Sequence, residues 1–182
     1  MYDLKQQNSL LFAPIDKGFT SLLWLTTLVL CGTITSALLF EYVGGYIPCK
    51  LCLGQREPYY AAIPFCFLAL SSHHTMNYKW MTRGCIAIIG CLMLFGLTLS
   101  IFHAGVEWHL WQGPADCGAT AAGKIGNTKD LLAALKNTKA PSCDSATWRM
   151  LGLSFAGWNA VISAILAACS FWVALSAPKR DA

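Results

Sequence analysis

Four long runs of apolar residues alternate with polar stretches along the chain. Gly18–Phe40, Pro58–Ser72 and Gly84–Phe102 carry no charge, and a fourth run extends from Met150 to Ala177. A bilayer core about 30 Å thick is crossed by about 20 apolar residues in a helix. The second run reaches that length only if its helix begins near Leu53, which sets Arg56 and Glu57 at the interface. The fourth is longer than a crossing requires, so tilt or an interfacial first turn is expected. Helices and closed barrels are the structures that satisfy their backbone in lipid, and runs of this length mean helices. The pattern predicts one membrane domain over residues 1–182, an all-α four-helix transmembrane bundle. Its spans lie near 19–40, 54–72, 84–103 and 153–177, and its two loops, 41–53 and 104–152, share one side.

Composition agrees with the pattern. The 182 residues are 55% hydrophobic and 12% charged, with mean hydropathy +0.49. Soluble domains carry roughly 25% charged residues. The net charge of +4 is scattered, which gives no footprint for nucleic acid. The first 17 residues are mixed and polar, and no A-x-A cleavage site follows the first apolar run, so that run is read as a retained span.

Four spans put both termini on one side. Six Lys/Arg fall there and seven on the other, but four of the seven (Lys124, Lys129, Lys136, Lys139) lie mid-loop, where they weigh least. Cytoplasmic termini are the expected orientation. In the long loop, Thr128 is placed to cap a short helix over 129–136, with Leu131, Leu132 and Leu135 on one face, lying on the membrane surface or against the loop. Trp108, Trp111, Trp148 and Trp158 bracket that loop, where an aromatic belt belongs.

The nine cysteines sort by position. Cys31, Cys66, Cys85, Cys91 and Cys169 lie inside the spans, where a free thiol behaves as a small hydrophobe. Cys49, Cys52, Cys117 and Cys143 fall in the two loops on one side. Disulfides persist in oxidising compartments such as the bacterial periplasm. Two pairs in two loops fit redox-active disulfides, two static disulfides, or four zinc ligands. The Cys-Lys-Leu-Cys spacing closes too small a ring to constrain the unfolded chain much, so it suits exchange better than stapling. Cys52 falls where the second helix should begin, with Arg56 one turn on. A helix N-terminus lowers a thiol pKa, which makes Cys52 the expected thiolate. Arg56 also suits a snorkelling interface anchor.

Electrons reaching Cys49–Cys52 need an acceptor. The chain has no dinucleotide fingerprint and no Cys-x-x-Cys-His haem site. A membrane quinone is the simplest acceptor, with Arg56 and His103 as candidate donors to its carbonyls. Glu107 reads as a solvated interface residue.

Pro48-Cys49-Lys50-Leu51-Cys52-Leu53-Gly54-Gln55-Arg56 resembles the P-C-x-L-C-x-x-x-R signature of the DsbB family, the membrane disulfide-bond-formation proteins of bacteria. Ser142-Cys143-Asp144, then Trp148 and Leu151-Gly152-Leu153, resemble that family's second loop cysteine and the approach to its fourth span. The resemblance implies an inner-membrane enzyme that reoxidises a periplasmic thioredoxin-fold protein, DsbA, and passes electrons to ubiquinone or menaquinone. It implies that Cys117 takes the partner's thiolate, that Cys143 then attacks the first pair at Cys49, and that Cys52 is left facing the quinone. Arg56 and His103 match the family's quinone-contacting positions, although Phe102-His103-Ala104-Gly105 departs from the usual surroundings of that histidine.

Overall fold

Apolar runs without internal proline form three of the four helices among the described residues. These are α1 (Lys17–Tyr42), α3 (Lys79–Glu107) and α4 (Phe155–Leu175). The other, α2 (Lys50–Ser71), contains Pro58 and Pro64. Neighbouring helices and local adjustment make such prolines tolerable in membrane helices. The computed structural model describes residues 17–72, 79–114, 143–144, 146 and 148–175. The expected surface helix over 129–136 and both termini lie outside the described residues.

Segments of α1 (Thr20–Tyr42), α3 (Trp80–Glu107) and α4 are long and apolar enough to cross a membrane. Helix α2 has 22 residues, about 33 Å at 1.5 Å per residue. Its first eight residues include Lys50, Gln55, Arg56 and Glu57, which dilute its apolar character. Large apolar side chains such as Trp24, Leu28, Phe67, Phe95, Ile165 and Trp172 cover the outside of the bundle. In water such a surface would aggregate; in lipid it is solvated. The chain is an all-α membrane protein.

Helix α3 is the hub: it packs most extensively on α4 and next on α2, while α1 leans chiefly on α2. Leu30, Ile34, Tyr59, Ala62, Cys66, Ile89, Met93, Leu166 and Ala167 form the main core, one contribution from each helix or more. A second cluster joins Leu23, Ala69, Leu70, Cys85, Ile86 and Val173 nearer the other end. Cys66 and Cys85 are thus packing residues, as expected of span cysteines, while Cys91 is exposed on the outer face.

Two turns set the approach to the site. Helix α1 ends with Val43 and Gly44 N–H groups bonded to Leu39 O, and Gly45 takes φ +70°, a left-handed value that glycine adopts without strain. The fourth helix does not begin at the head of its apolar run. Instead Arg149–Met150 (β1) and Leu153–Ser154 (β2) pair antiparallel, Arg149 opposite Ser154. The turn residues Leu151 and Gly152 both have positive φ, 54° and 84°, as tight two-residue hairpins require. This hairpin accounts for the surplus length of the fourth run.

Candidate functional site

Cys49 caps α2. Its backbone is extended (φ −76°, ψ 170°), and its sulfur accepts the Cys52 N–H at 3.3 Å. One helical turn brings the two sulfurs to 2.8 Å, and both are free thiols. His103, near the end of α3, places Nε2 3.7 Å from Cys49 Sγ. Cys49 and His103 are buried, each 4% exposed, and Cys52 is half-buried.

The pair shares one proton, and the geometry decides which sulfur gives it up. The two sulfurs are hydrogen-bonded to each other, and the Cys52 N–H and His103 stabilise charge on Cys49 against the cost of burial. Cys49 is pushed down to about 4. Cys52 is pushed up, first by that same hydrogen bond and then by burial. The cap geometry favours charge on Cys49, where the sequence reading had expected it on Cys52. The cap position, not the first turn, receives the free N–H. The Arg56 charge is the smallest of the influences on Cys52.

With the pair reduced, alkylation of Cys49 by iodoacetamide is expected to show a midpoint near pH 4. The thiolate is present above that midpoint and lost as pH falls through it. In the unfolded chain the midpoint returns to roughly 8.5. Between the two values the folded form holds fewer protons, so the reduced protein loses stability as pH drops through that window. Peptide mass spectrometry of pH-jump alkylation checks the midpoint.

Cys143 comes to this place from the far side of the long loop. It is buried, disulfide-bonded, and packed with Cys49 and Val106. The ligand atoms of Cys49, His103 and Cys143 all lie within 4.8 Å of one another. Cys117, the other predicted loop cysteine, lies outside the described residues. A sulfur held in a disulfide offers no thiolate to zinc, and two donors fall short of the three or four protein ligands of zinc sites. The cluster is instead the geometry of thiol–disulfide exchange.

On the other side of the pair a cavity of about 490 Å³ opens between α1 and α4. Val29, Ile34, Phe40 and Ile162 line its apolar walls, and Cys52, Arg56 and His103 are among its polar lining. Arg56 is held by an ion pair with Glu41 and reaches Ala37 O at 3.4 Å. Phe40 and Phe155, both on the cavity lining, meet edge to face with ring centroids 5.0 Å apart, and Trp148 packs on Phe155 at 5.3 Å. Trp108, Trp111 and Trp148 are exposed near the ends of the helices, as a belt requires, whereas Trp158 lines the cavity.

Several residues of the site had no role in the sequence reading. Glu41 pairs with Arg56; its signal was a lone acid at the end of an uncharged span. Gln55 lies 2.7 Å from His103 Nδ1 and is itself bonded to Asn159. Glu107, expected to be solvated, is buried, accepts a hydrogen bond from Ser154, and has its Oε1 3.9 Å from His103 Nε2. The hairpin carries Ser154 over α3, and that burial is invisible to local sequence.

Residues 20–173 match the family described as disulfide bond formation protein DsbB. Several relatives carry the name disulfide bond formation protein B. That of Marinobacter nauticus is 30% identical over 159 residues, covering 83% of this chain and 89% of its own. That of Paracidovorax citrulli is 31% identical over 143 residues, covering 76% and 77%. That of Verminephrobacter eiseniae is 26% identical over 156 residues, covering 84% of each. No solved structure matches the chain at a significant level.

Proposed function

Since the chain belongs to the DsbB family of disulfide bond formation proteins, we propose that it reoxidises a periplasmic dithiol protein of DsbA type and delivers the electrons to a membrane quinone. Disulfide formation is the family's role; the route and the acceptor are our reading. The observation that carries it is the meeting of Cys143, Cys49 and His103 within 4.8 Å, with Cys52 on the cavity behind.

In this reading the partner's thiolate attacks Cys117, and Cys143 leaves as a thiolate. Resolution of that mixed disulfide releases the oxidised partner. Cys143 then attacks Cys49 Sγ and breaks the Cys49–Cys52 bond; Cys117 closes on Cys143. The loop pair is again a disulfide, and the helix pair holds two electrons. Cys49 is a good leaving group because the Cys52 N–H and His103 stabilise its thiolate. Bound quinone, ubiquinone or menaquinone, supplies the sink for two electrons and two protons.

The cavity fits such a ring. Its lining is mostly apolar, and Arg56, His103 and Cys52 are among its polar members. Arg56 can donate to a carbonyl oxygen there. In a bacterial inner membrane with both termini cytoplasmic, the cysteine end of the bundle faces the periplasm.

The test is quinone absorbance in detergent after adding a reduced thioredoxin-fold periplasmic protein. Reduction that needs Cys49, Cys52, Cys117 and Cys143 supports the relay. No reduction, with both disulfides intact after the partner is added, moves the protein to the alternative of static loop disulfides. A variant with Cys31, Cys66, Cys85, Cys91 and Cys169 all replaced by alanine is expected to keep its rate within about threefold, because none of them lines the cavity or meets the four. A variant that folds but turns over more than tenfold slower would place one of them in the electron path.

A further inference from the structure

A chain of buried and half-buried hydrogen bonds crosses three helices behind the cysteine pair, and each link has a fixed direction. It starts at a backbone carbonyl. Ser100 Oγ lies 2.7 Å from Gly96 O. A carbonyl only accepts, so the one hydroxyl hydrogen points there. Ser100 must then accept from Asn159, 2.7 Å away, and the Asn159 atom facing it is Nδ2. That orientation turns Asn159 Oδ1 toward the Tyr59 hydroxyl, which donates to it at 2.6 Å. The second Nδ2 hydrogen goes to Gln55 Oε1 at 2.8 Å. Gln55 is thereby turned to present Nε2 to His103 Nδ1 at 2.7 Å.

An amide nitrogen donates and does not accept. His103 Nδ1 therefore carries the lone pair, and the ring hydrogen sits on Nε2, the atom 3.7 Å from Cys49 Sγ. Amide and imidazole orientations are ordinarily assigned from the surrounding network. Here the assignment is anchored at a peptide carbonyl that cannot flip.

We propose that Gln55 and Asn159 are positioning residues that hold His103 in its Nε2–H tautomer, with Ser100 as their anchor, so that the ring N–H is aimed at the Cys49 sulfur. The proposal rests on Cys49 being the exchanging sulfur of the relay. A histidine ring nitrogen takes its role from the hydrogen bond made by the other nitrogen. A general packing role for these amides would hold the helices together but would not select a tautomer. Other ionisable groups around the pair are Cys52 and Arg56 on α2, Glu107 on α3, Glu41 on α1, and Cys143 in its disulfide; α4 contributes Asn159 and no charge.

The experiment is ring-¹⁵N histidine spectroscopy of the full chain in detergent with Cys49–Cys52 reduced, His103 being assigned by its loss in His103→Gln. The wild type is expected to show an unprotonated Nδ1 and a protonated Nε2. Asn159→Asp has the same shape but only accepts, so Gln55 must turn its amide toward it and offer Oε1 to His103. Nδ1 should then become protonated. Gln55→Met removes the donor without adding charge. Its Cys49 alkylation midpoint should rise by about one unit, roughly tenfold slower alkylation below the wild-type midpoint. Ser163→Ala removes a Tyr59 contact outside this chain and should change neither readout.

A protonated Nδ1 in the wild type overturns the proposal. So does an unchanged ring in Asn159→Asp together with an unchanged midpoint in Gln55→Met. Quinone reduction is measured on the same samples. A wild type that reduces no quinone yet shows both shifts would retire the relay and leave the positioning chain standing.

Discussion

Cys49→Ala is expected to stop quinone reduction by the dithiol partner, with the rate falling at least about a thousandfold. The size of the effect follows from the chemistry. Every step of the relay is a thiolate attacking a disulfide, so removing a sulfur removes a bond that the next step must form or break. Cys49 is the sulfur placed against both Cys143 and Cys52. Without it the loop disulfide can still be reduced by the partner once, and the electrons then stay there. Cys52→Ala should fail differently. Its Cys49 thiolate remains beside Cys143 without a resolving thiol, and a Cys49–Cys143 disulfide is expected to accumulate. Quinone absorbance gives the rates, and non-reducing peptide mapping identifies the trapped bond. A Cys49→Ala protein retaining a tenth of the wild-type rate would sink the assignment.

The second large effect is at Arg56. Arg56→Ala is expected to raise the KM for quinone by about 10–100-fold, or roughly 1.4–2.7 kcal/mol, while exchange between the two cysteine pairs proceeds as before. Two losses combine. The cavity loses a charged donor from its lining, and Glu41 loses its ion-pair partner beside an apolar wall. Breaking one side of a partly buried pair costs more than removing the pair, because an uncompensated charge is left behind. Arg56→Ala with Glu41→Gln should therefore recover part of the affinity, and the double-mutant cycle separates the direct contact from the stranded acid. An unchanged KM in Arg56→Ala would remove the arginine from the quinone site.

Much of this architecture could be read from local pattern. The four apolar runs coincide with the four described helices, three of them long and apolar enough to cross a membrane, because such runs leave a continuous signal. The loop cysteines were separable from the span cysteines by position alone, and Cys143 does come to Cys49. What was hidden depends on contacts between distant segments. The thiolate was placed on Cys52 because helix N-termini favour anions, but which residue occupies the cap is a matter of one residue, and Cys49 has it. Asn159, Gln55 and Tyr59 lie about a hundred residues or about fifty residues from their partners, so no spacing rule joins them. Glu107 looked like any acid near a water boundary until the hairpin brought Ser154 over it. Arg56 was legible as a candidate quinone donor or an interface anchor; its ion pair with Glu41 was not.

Helix α1 packs chiefly on α2, and the cavity between α1 and α4 offers a route between two apolar helices. A hydrophobic substrate reaching Cys52 by that route never leaves the bilayer. Its supply is then counted per lipid molecule and not per litre. Diluting reconstituted protein with buffer should leave the turnover rate alone, whereas diluting it with extra phospholipid should slow it.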